Sequence, residues 1–430
     1  MNSPIPRIVV VGGGAGGAEL VAALGRRFGR GKAEITLVDC AASHLWKPRL
    51  HEVAAGLISQ EEDDLPYLAL GYANHFRFQM GALTGLDVVS KTISIAGIAG
   101  ADGSHLVGPR QIPYDILVLA IGSQVNDFGI EGVVEHCHML DSADQASAFQ
   151  RRLLERAIQV SEDLTNDLRV GIVGAGATGV ELAVELHHAV SAMQRYGGLA
   201  GSSRLAITVV DMAQRVLANS NPHTSAFADR ALSRLGVTVR LNASVARVTA
   251  DALILKTGEH IPCDLKVWAS GISGRPVAEQ LKGLQIARGR RIVCDSFLRC
   301  KGVETIYALG DCAAVLDPKT GQNLPATAQV AHQQAAYLVG SILASHQGRV
   351  PDPFTYRPKG SLISLGSDSA AAELPAPRRG LLTFRGTLPK VFYVSLQVLH
   401  RACLVGWTRT IALSLADALR RTTTPPVKFH

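Results

Sequence analysis

Closely spaced cysteines are missing from this chain. None of its seven cysteines belongs to a Cys-x-x-Cys motif, and they are scattered as Cys40, Cys137, Cys263, Cys294, Cys300, Cys312 and Cys403. A secreted fold held by disulfides is therefore not expected, and neither are zinc or iron–sulfur sites built from cysteine pairs. The histidines show no ligand spacing, so we predict no metal site. Disulfide reductases need two neighbouring redox cysteines and are excluded for the same reason.

Long apolar runs and clustered basic residues are missing as well. No stretch of about 18 uninterrupted apolar residues occurs, so we predict no membrane-spanning helix. The first predicted strand begins within the first ten residues, which leaves no space for a secretory leader, and we expect the protein to stay on the cytoplasmic side. The net charge of +7 is compatible with an anionic membrane surface. Because no Lys/Arg block is interleaved with aromatic residues, no nucleic acid partner is expected.

The chain does contain a dinucleotide-binding fingerprint near its start. Pro6–Gly17 runs from β-branched residues into glycines and then into an alanine-rich helical pattern, which predicts a strand, a tight turn and a helix. Gly12, Gly14 and Gly17 have the G-x-G-x-x-G spacing, which allows close approach of a pyrophosphate. Asp39 closes the second predicted strand and is placed to accept ribose hydroxyls. A glycine-rich turn in another α/β fold is the alternative.

A second complete fingerprint follows in the middle of the chain. Gly174, Gly176 and Gly179 repeat the spacing, and the next predicted strand ends at Asp211. Two fingerprints in one chain predict two nucleotide sites. Since a carboxylate favours a free ribose 2′-hydroxyl and repels a 2′-phosphate, we predict NADH rather than NADPH. Arg215 lies four residues later and would partly offset this preference.

The C-terminal part is predicted to associate with a membrane surface. Lys390–Arg421 is broadly apolar yet carries charges at intervals, with Tyr393 and Trp407 as candidate interfacial anchors. This pattern predicts a pair of amphipathic helices that lie in one leaflet. Flanking cations such as Lys428 would favour anionic lipid. The alternatives are that the apolar stripe packs on the body of the protein or forms a homodimer contact.

Motifs along nearly the whole chain resemble one family. GGGAGG with Asp39, HLWKP, LAIGS, GAGATGVEL, VWASGI, GDCA and AQVAHQQA occur in this order, and they resemble the type II NADH:quinone oxidoreductases, single-chain NADH dehydrogenases that do not pump protons. The resemblance implies an α/β fold of two Rossmann-like dinucleotide-binding domains. The FAD domain would span 1–140 and resume at 291–350, interrupted by the NADH domain at 141–290. A C-terminal module for membrane association or dimerisation would follow at 351–430.

The resemblance also implies which residues hold the two nucleotides. To non-covalently bound FAD it assigns Gly12, Gly14, Gly17, Asp39, His44, Trp46, Lys47, Pro48, Leu83, Ala120, Gly122, Asp311 and Ala328. To the substrate NADH it assigns Gly174, Gly176, Gly179, Glu181, Asp211 and Gly271. The helix start near Ala328 would stabilise negative charge on the reduced flavin. His44 is alternatively a loop histidine without a cofactor role.

Three residues are implied to act in catalysis. By resemblance, Glu181 lies near the nicotinamide and assists positioning or proton transfer, whereas the plain alternative is an acid favoured by the helix dipole. Gln329 and Gln333 are four residues apart and project from one helical face. Their amides would donate to quinone carbonyl oxygens. Without the resemblance, a solvated helix face is the better interpretation of these two glutamines.

The implied activity is oxidation of NADH through FAD, with transfer of two electrons to a membrane quinone such as ubiquinone. The enzyme would enter the respiratory chain as a peripheral protein on the cytoplasmic face of a bacterial inner membrane. A flavin suits this task because it accepts a hydride and holds both electrons. The alternatives are a sulfide:quinone oxidoreductase, which needs a redox cysteine pair at the flavin, and another NAD(P)H-dependent flavin reductase of the same fold. A non-enzymatic redox sensor is a third class.

Overall fold

The computed structural model describes residues 5–59, 64–100, 102–162, 167–195, 205–366, 369–376 and 380–423. The helices of these residues are α1 (Ala15–Phe28), α2 (Leu50–Ala54), α3 (Tyr67–Asn74), α4 (Val133–His136), α5 (Ala143–Glu162), α6 (Ala177–Arg195), α7 (Pro222–Arg234), α8 (Ala328–His346), α9 (Thr387–Val405) and α10 (Trp407–Thr423). Short 3₁₀ turns occur at Lys47–Arg49, Pro276–Gln280 and Gly310–Cys312. Lys428, named above as a flanking cation, lies outside the described residues.

The first large sheet has five strands, in the spatial order Ile306–Ala308, Ile116–Leu119, Arg7–Val11, Glu34–Asp39 and Arg77–Met80. All neighbouring strands pair in parallel. Leu117 and Val118 are fully buried, so this apolar strand is covered on both faces, which is typical of a parallel sheet. The edge strand Ile306–Ala308 follows the strands of the second large sheet in the sequence. The first sheet is therefore formed by two chain segments, with the second unit inserted between them.

The second large sheet repeats this design, in the spatial order His138–Met139, Leu265–Trp268, Leu168–Val173, Leu205–Val210 and Thr238–Arg240. Its strands also pair in parallel. In each sheet the strand that carries a glycine fingerprint is central and leads directly into a helix, α1 or α6. Ligands of open parallel sheets bind at the carboxyl ends of such strands. The predicted α/β fold with two Rossmann-like units is confirmed.

Smaller sheets connect and flank these units. The three-stranded ones are Arg110–Pro113 with Thr92–Ile95 and Leu83–Asp87; Val245–Val248 with Ala252–Leu255 and His260–Pro262; Ile286–Ala287 with Arg291–Val293 and Ala313–Ala314; and Ser361–Ser364 with Ala370–Ala376 and Gly380–Gly386. The two-stranded ones are Ser43–His44 with Leu65–Pro66, Ile98–Ala99 with His105–Val107, and Ser123–Val125 with Ile272–Gly274. The last pair is antiparallel, and it joins the two chain segments that pass between the units.

Each large sheet has its own core, and the C-terminal region contributes to both. Phe354 and Leu404 lie in the core of the first unit. Ile363 and Leu365 lie in the core of the second unit. Val53 of α2 also belongs to the second core, although it precedes that unit in the chain. The predicted boundaries at 140, 290 and 350 remain predictions, and the 351–430 region shares the cores of both nucleotide units.

The two C-terminal helices present apolar side chains to the exterior. One side of α9 buries Tyr393, His400 and Leu404 against the body of the protein. The exposed large apolar residues are Val391, Phe392, Val394, Leu396 and Leu399 on α9, and Trp407, Ile411, Leu413, Leu415 and Leu419 on α10. The sequence predicts Tyr393 as an interfacial anchor, but this side chain is only 7% exposed. No helix of the described residues is long and apolar enough to cross a bilayer.

Candidate functional site

The turn that leads into α1 allows a ligand to approach the backbone. Gly12 has a φ of +102°, and a Cβ there would lie 2.2 Å from the carbonyl oxygen of Ala120. A Cβ on Gly17 would lie 1.9 Å from the Gly12 oxygen, whereas one on Gly14 would have no heavy atom within 4 Å. Gly14 is the N-cap of α1, which has no side-chain cap and no acid in its first turn. Free N–H groups and the positive dipole end therefore face open space, which fits a diphosphate.

Asp39 lies directly beside this glycine turn. Its carboxylate accepts hydrogen bonds from the backbone N–H of Gly13 at 2.5 Å and of Ala41 at 2.8 Å. The Tyr67 hydroxyl donates to the Gly13 carbonyl, at 2.8 Å. The carboxylate is thus held next to the phosphate-binding loop, where the adenosine ribose of a dinucleotide would lie.

Two cations and a carboxylate bind the segment 121–123 or its side chains. The Lys47 ammonium is 3.4 Å from the Ser123 carbonyl oxygen, and the Ser123 hydroxyl donates to Asp311 at 2.7 Å. Burial lowers the pKa of Lys47, while neighbouring carboxylates, Asp311 among them, act in the opposite direction. The Arg275 guanidinium donates to the Ile121 carbonyl at 2.9 Å. Both cations therefore contact the backbone of 121–123, which follows the Ala120 carbonyl beside Gly12, and positive charge there suits the anionic part of a dinucleotide.

The second fingerprint has the same construction as the first. Gly174 has a φ of +115°, and a Cβ there would lie 2.7 Å from the carbonyl oxygen of Ala269. A Cβ on Gly179 would lie 1.9 Å from the Gly174 oxygen, and one on Gly176 would meet nothing within 4 Å. The close contacts fix the turn, while the open position leaves space for a second diphosphate.

Asp211 repeats the role of Asp39 in the second unit. Its carboxylate accepts from the backbone N–H of Ala175 at 2.5 Å and of Ala213 at 2.8 Å. The Arg215 guanidinium donates to the carbonyl of Ala218 in its own turn. Arg215 is therefore committed to local structure, and the negative charge at the strand end is not offset by a bond from it.

Gly122 and Gly271 lie where a strand of each large sheet leaves its unit. Both adopt a left-handed backbone, with φ of +69° and +72°. A Cβ on Gly271 would lie 2.3 Å from the ring of Phe128. These turns lead straight into the paired strands Ser123–Val125 and Ile272–Gly274, so both predicted glycines lie at the junction between the two nucleotide units.

The HLWKP segment packs between the first glycine turn and α9. His44 is buried, and its Nδ1 lies 2.8 Å from the Gly13 carbonyl oxygen. Its Nε2 lies 2.8 Å from Nε2 of His400. The Trp46 ring stacks on the His400 ring at 5.8 Å between centroids. His44 thus contacts the cofactor loop from behind, through the Gly13 backbone.

The remaining predicted FAD residues contribute packing or backbone. The Pro48 carbonyl lies 3.5 Å from the Tyr393 hydroxyl. Leu83 is a core residue of the first unit. The Ala120 carbonyl is the atom that a Cβ on Gly12 would meet. Direct contact of these residues with FAD remains a prediction.

Glu181 lies at the meeting point of three elements. It is 7% exposed on α6, and it accepts from the backbone N–H of Ser364 at 2.8 Å. Its other carboxylate oxygen lies 3.6 Å from Nδ1 of His51 on α2. The structure brings Glu181 into a buried polar junction, and its position near the nicotinamide remains a prediction.

The two predicted catalytic glutamines bind the chain segment 356–360. The Gln329 side chain donates to the Gly360 carbonyl at 3.0 Å and accepts from the Tyr356 hydroxyl at 2.7 Å. The Gln333 amide donates to the Arg357 carbonyl at 2.8 Å and accepts from its N–H at 3.0 Å. Both amides are therefore engaged by protein groups, and a direct bond to a quinone remains a prediction.

Helix α8 packs against the Gly310–Cys312 turn, and the effect of its start on the reduced flavin remains a prediction. The helix begins at Ala328, and the Thr327 hydroxyl caps it by accepting from the Val330 N–H at 3.3 Å. Gln334, which sequence reasoning did not select, is 1% exposed and accepts from the Gly310 N–H at 2.7 Å. This bond fixes α8 against the turn that carries Asp311.

Two cysteines without a shared sequence motif are neighbours in the fold. Cys294 and Cys300 face each other across an antiparallel bridge. A hydrogen bond with Cys294, together with burial, raises the pKa of Cys300 well above its usual range. Burial raises the pKa of Cys312 to about 12. Reactive thiols need a lowered pKa and access to solvent. Cys300 and Cys312 have neither, so we interpret them as core residues and not as redox thiols.

Sequence reasoning missed several residues that the fold brings to the site. Arg275 lacks any local motif, because its partner Ile121 is distant in sequence. Glu19 resembles an ordinary helical acid, yet it is buried between two histidines, His332 and His400. A histidine inside an apolar helix, as at position 400, is the one available signal.

Comparison with known proteins defines the class first. The family model described as pyridine nucleotide-disulphide oxidoreductase matches residues 6–335, and the chain belongs to this family of two-dinucleotide oxidoreductases. More narrowly, it belongs to the type II NADH:quinone oxidoreductases. It is 38% identical to the enzyme of that name from Haemophilus influenzae, and the alignment covers 98% of this chain and 99% of that protein.

Solved structures agree on the fold. An NDH2 structure from Plasmodium falciparum in complex with NADH superposes with a TM-score of 0.83 at 18% identity, covering 98% of this chain and 100% of that one. A sulfide:quinone oxidoreductase from Aquifex aeolicus superposes with a TM-score of 0.72 at 17% identity, covering 93% of this chain and 92% of that one. At these identities both comparisons support the architecture alone.

Proposed function

We propose that this protein oxidises NADH by means of bound FAD and reduces a membrane quinone with the two electrons. The observation behind the proposal is the repeated phosphate loop. Each unit has an open glycine, at Gly14 and Gly176, and a carboxylate fixed beside the turn, at Asp39 and Asp211. Membership of the type II NADH:quinone oxidoreductases supports the choice of donor and acceptor.

The residues of the first unit suit FAD. The N–H groups at the start of α1 would bind its diphosphate, with Gly14 leaving the space and Lys47 adding positive charge. Asp39 would accept the adenosine ribose hydroxyls, and Asp311 would lie toward the ribityl chain. When bound, FAD supplies a centre that takes a hydride and releases two electrons. The protein residues contribute binding, orientation and the exclusion of water.

The residues of the second unit suit NADH. Gly176 leaves the space for a diphosphate, and the Asp211 carboxylate would bind the ribose 2′- and 3′-hydroxyls. Glu181 follows the last fingerprint glycine, Gly179, on the buried side of α6. Its hydrogen bond from Ser364 orients the carboxylate, so that it could hold or move a proton at the nicotinamide end.

The quinone end is proposed to lie beside Gln329 and Gln333. Because both amides already bind backbone groups of 356–360, they would contact a quinone only after this segment moves. A supporting role, in which they hold the segment that forms the wall of the site, requires no such movement. Either role affects the acceptor reaction more than the donor reaction.

Association with a membrane surface is proposed for α9 and α10. Among the side chains whose burial is described on these two helices, ten large apolar ones are exposed, and clusters of this kind mark sites for membranes or partners. Arg409 and Arg420 are exposed on α10 and would favour anionic lipid. A homodimer through the same surface is the competing proposal. The cytoplasmic face of a bacterial inner membrane is the proposed location.

A sulfide:quinone oxidoreductase is the rival activity. It would require a cysteine disulfide at the flavin, which sulfide attacks to form a persulfide on one cysteine and release the other as a thiolate. The buried cysteines with raised pKa values do not provide this chemistry. The second phosphate loop, which binding of NADH requires, is fully formed at Gly174–Gly179.

Rapid mixing tests the proposed function. Purified protein mixed with NADH should lose the visible absorption of oxidised flavin in one phase, and a second mixing with ubiquinone-1 should restore it. The two half-reactions then have separate rates. A protein that is isolated without flavin and does not bind added FAD would refute the proposal.

Replacement of Gln333 by leucine should slow the quinone half-reaction. We expect about a tenfold loss, because two hydrogen bonds to Arg357 disappear, while reduction of the flavin by NADH keeps its rate. Gln347→Leu, at the exposed residue that follows the last residue of this helix, is the control and should change neither rate. Equal losses in both half-reactions would remove Gln333 from the acceptor site.

Removal of α10 should release the protein from membranes without loss of FAD. A chain ending at Gly406 loses the exposed apolar side chains of α10, and we expect a fall of about 100-fold in partitioning to anionic vesicles. It keeps α9, whose Leu404 is fully buried in the core of the first unit. Sedimentation with vesicles measures the effect. The full-length double variant Leu415→Glu/Leu419→Glu should also bind less, and unchanged partitioning of both would exclude α10 as the anchor.

A further inference from the structure

A chain of hydrogen-bonded side chains connects α8 with the first glycine turn. Nδ1 of His332 lies 2.5 Å from Glu19, and the other Glu19 oxygen lies 2.6 Å from Nδ1 of His400. Nε2 of His400 lies 2.8 Å from Nε2 of His44, whose Nδ1 lies 2.8 Å from the Gly13 carbonyl oxygen. Glu19, His44 and His400 are all less than 10% exposed, at 7%, 3% and 9%.

The proton positions at the glycine end follow from the partners. A carbonyl oxygen only accepts, so Nδ1 of His44 carries the hydrogen that binds Gly13. Burial lowers the pKa of His44 to about 3, so this ring is neutral and its Nε2 is an acceptor. The contact between the two Nε2 atoms then needs a donor. His400 must therefore carry a proton on Nε2.

The other end of the chain fixes the second proton of His400. Burial opposes ionisation of Glu19, but hydrogen bonds from His332 and His400 outweigh it and lower its pKa to about 2. Glu19 is then a carboxylate and accepts from Nδ1 of both histidines. With donors on both nitrogens, His400 is an imidazolium buried beside one carboxylate, and such a pair is costly to break from one side.

His400 lies on a helix that contacts both the first glycine turn and the exterior of the protein. His400 belongs to α9, whose other side exposes Val391, Val394 and Leu399. The same helix places Leu404 in the core of the first unit. The Trp46 ring stacks on the His400 ring and covers one face of it. One face of α9 is therefore available to lipid, while the other holds the loop that would bind the FAD diphosphate.

We propose that His400 is a positioning residue of the flavin site: oriented by Glu19, it donates from Nε2 to His44 and thereby holds the Gly13 peptide of the phosphate loop. The inference rests on the proposed FAD-dependent function and deepens it. Helix α9 is then part of the flavin site as well as of the proposed membrane-facing surface.

Substitutions in the hydrogen-bonded network test the positioning role of His400 in the full-length holoenzyme. His400→Leu removes the donor to His44, and we expect the dissociation constant of FAD to rise about tenfold. Glu19→Gln should change it by less than about threefold, because the amide can donate to Nδ1 of a neutral His400 that still donates to His44. Arg401→Gln is the matched control on the same helix: it breaks an ion pair with Asp417 on α10 and should leave FAD affinity unchanged.

The double variant Glu19→Gln/His400→Leu separates positioning from stability. It removes the buried carboxylate that His400→Leu alone leaves with one partner, so the thermal unfolding temperature should partly recover. The affinity for FAD should not recover, because His44 still lacks its donor. If His400→Leu does not fold, the double variant replaces it. FAD affinity that follows the unfolding temperature across the set, or that equals the wild-type value, would overturn the proposal.

A spectroscopic measurement on the wild-type holoenzyme examines the charge directly. With ¹⁵N-labelled histidine, one buried ring should show both nitrogens protonated, and this signal should disappear in Glu19→Gln. Absence of such a ring would overturn the assignment of His400 as an imidazolium. Failure of the wild-type protein to bind FAD would instead refute the proposed function, so the two failures are distinguishable.

Discussion

Valine at Gly14 should abolish FAD binding, and valine at Gly176 should abolish NADH binding, with the fold intact in both cases. A Cβ at either position would have no heavy atom within 4 Å, and neither position has a left-handed backbone. The added side chain would occupy the space that a diphosphate needs. We expect a loss of more than about 100-fold in affinity for the corresponding nucleotide, because overpacking costs a few kcal/mol and each 1.4 kcal/mol is tenfold.

The two variants control each other. Gly176→Val should be isolated with a full complement of FAD and an ordinary flavin spectrum, yet should reach half-saturation only at far higher NADH. Gly14→Val should be isolated colourless while still binding NADH, as measured by fluorescence titration. The unfolding temperature of each apoprotein should stay within about 2 °C of the unmodified apoprotein. Loss of both nucleotides from either variant would show that the two loops are not separate sites.

A contrasting pair of glycines strengthens this test. A Cβ on Gly17 or Gly179 would lie 1.9 Å from a backbone oxygen of the same turn. Alanine at either position should therefore destabilise the unit that contains it. The same fingerprint thus contains positions that alter binding alone and positions that alter the fold.

Replacement of Asp211 by asparagine should shift the preference from NADH toward NADPH. The carboxylate is fixed by Ala175 and Ala213, and its charge would repel a 2′-phosphate. Loss of a like charge at close range changes binding by up to several kcal/mol. We therefore expect the ratio of kcat/KM for NADH to kcat/KM for NADPH to fall by about 10- to 100-fold. Asp211→Arg should shift it further.

Two control variants test whether the change in nucleotide preference is specific to Asp211. Asp39→Asn, at the equivalent place in the first unit, should weaken FAD binding and leave the ratio unchanged. Asp229→Asn removes an exposed carboxylate on α7 of the same unit and should alter neither property. An Asp211→Asn enzyme with the wild-type ratio would mean that another group rejects the 2′-phosphate.

The fingerprints could be predicted from sequence because their causes are local. Gly12, Gly17, Gly174 and Gly179 fold against atoms within a few residues or on the adjoining strand. The buried run around Leu117 likewise indicates a strand covered on both faces. The apolar periodicity of the C-terminus predicts a helical pair, and it is present as α9 and α10.

The orientation of side chains at the site could not be predicted in this way. Tyr393 has the character of an interfacial anchor, but the fold buries it against the HLWKP segment. Gln329 and Gln333 share one helical face, as expected, yet a distant backbone segment takes up their amides. The cysteines Cys294 and Cys300 become neighbours only because the chain folds back between them and forms an isolated antiparallel bridge.

The sequence alone determined two nucleotide-binding units of α/β type, the acids at their strand ends and an amphipathic C-terminus, because glycine spacing and hydrophobic periodicity act over a few residues. Only the tertiary structure decided that Glu19, His44 and His400 meet behind the first phosphate loop, since their contacts join residues hundreds of positions apart. Burial and the hydrogen bonds between these side chains then determine which of them are charged. Removal from water makes an unpaired ion costly, and this cost depends on the assembled core and not on any local pattern.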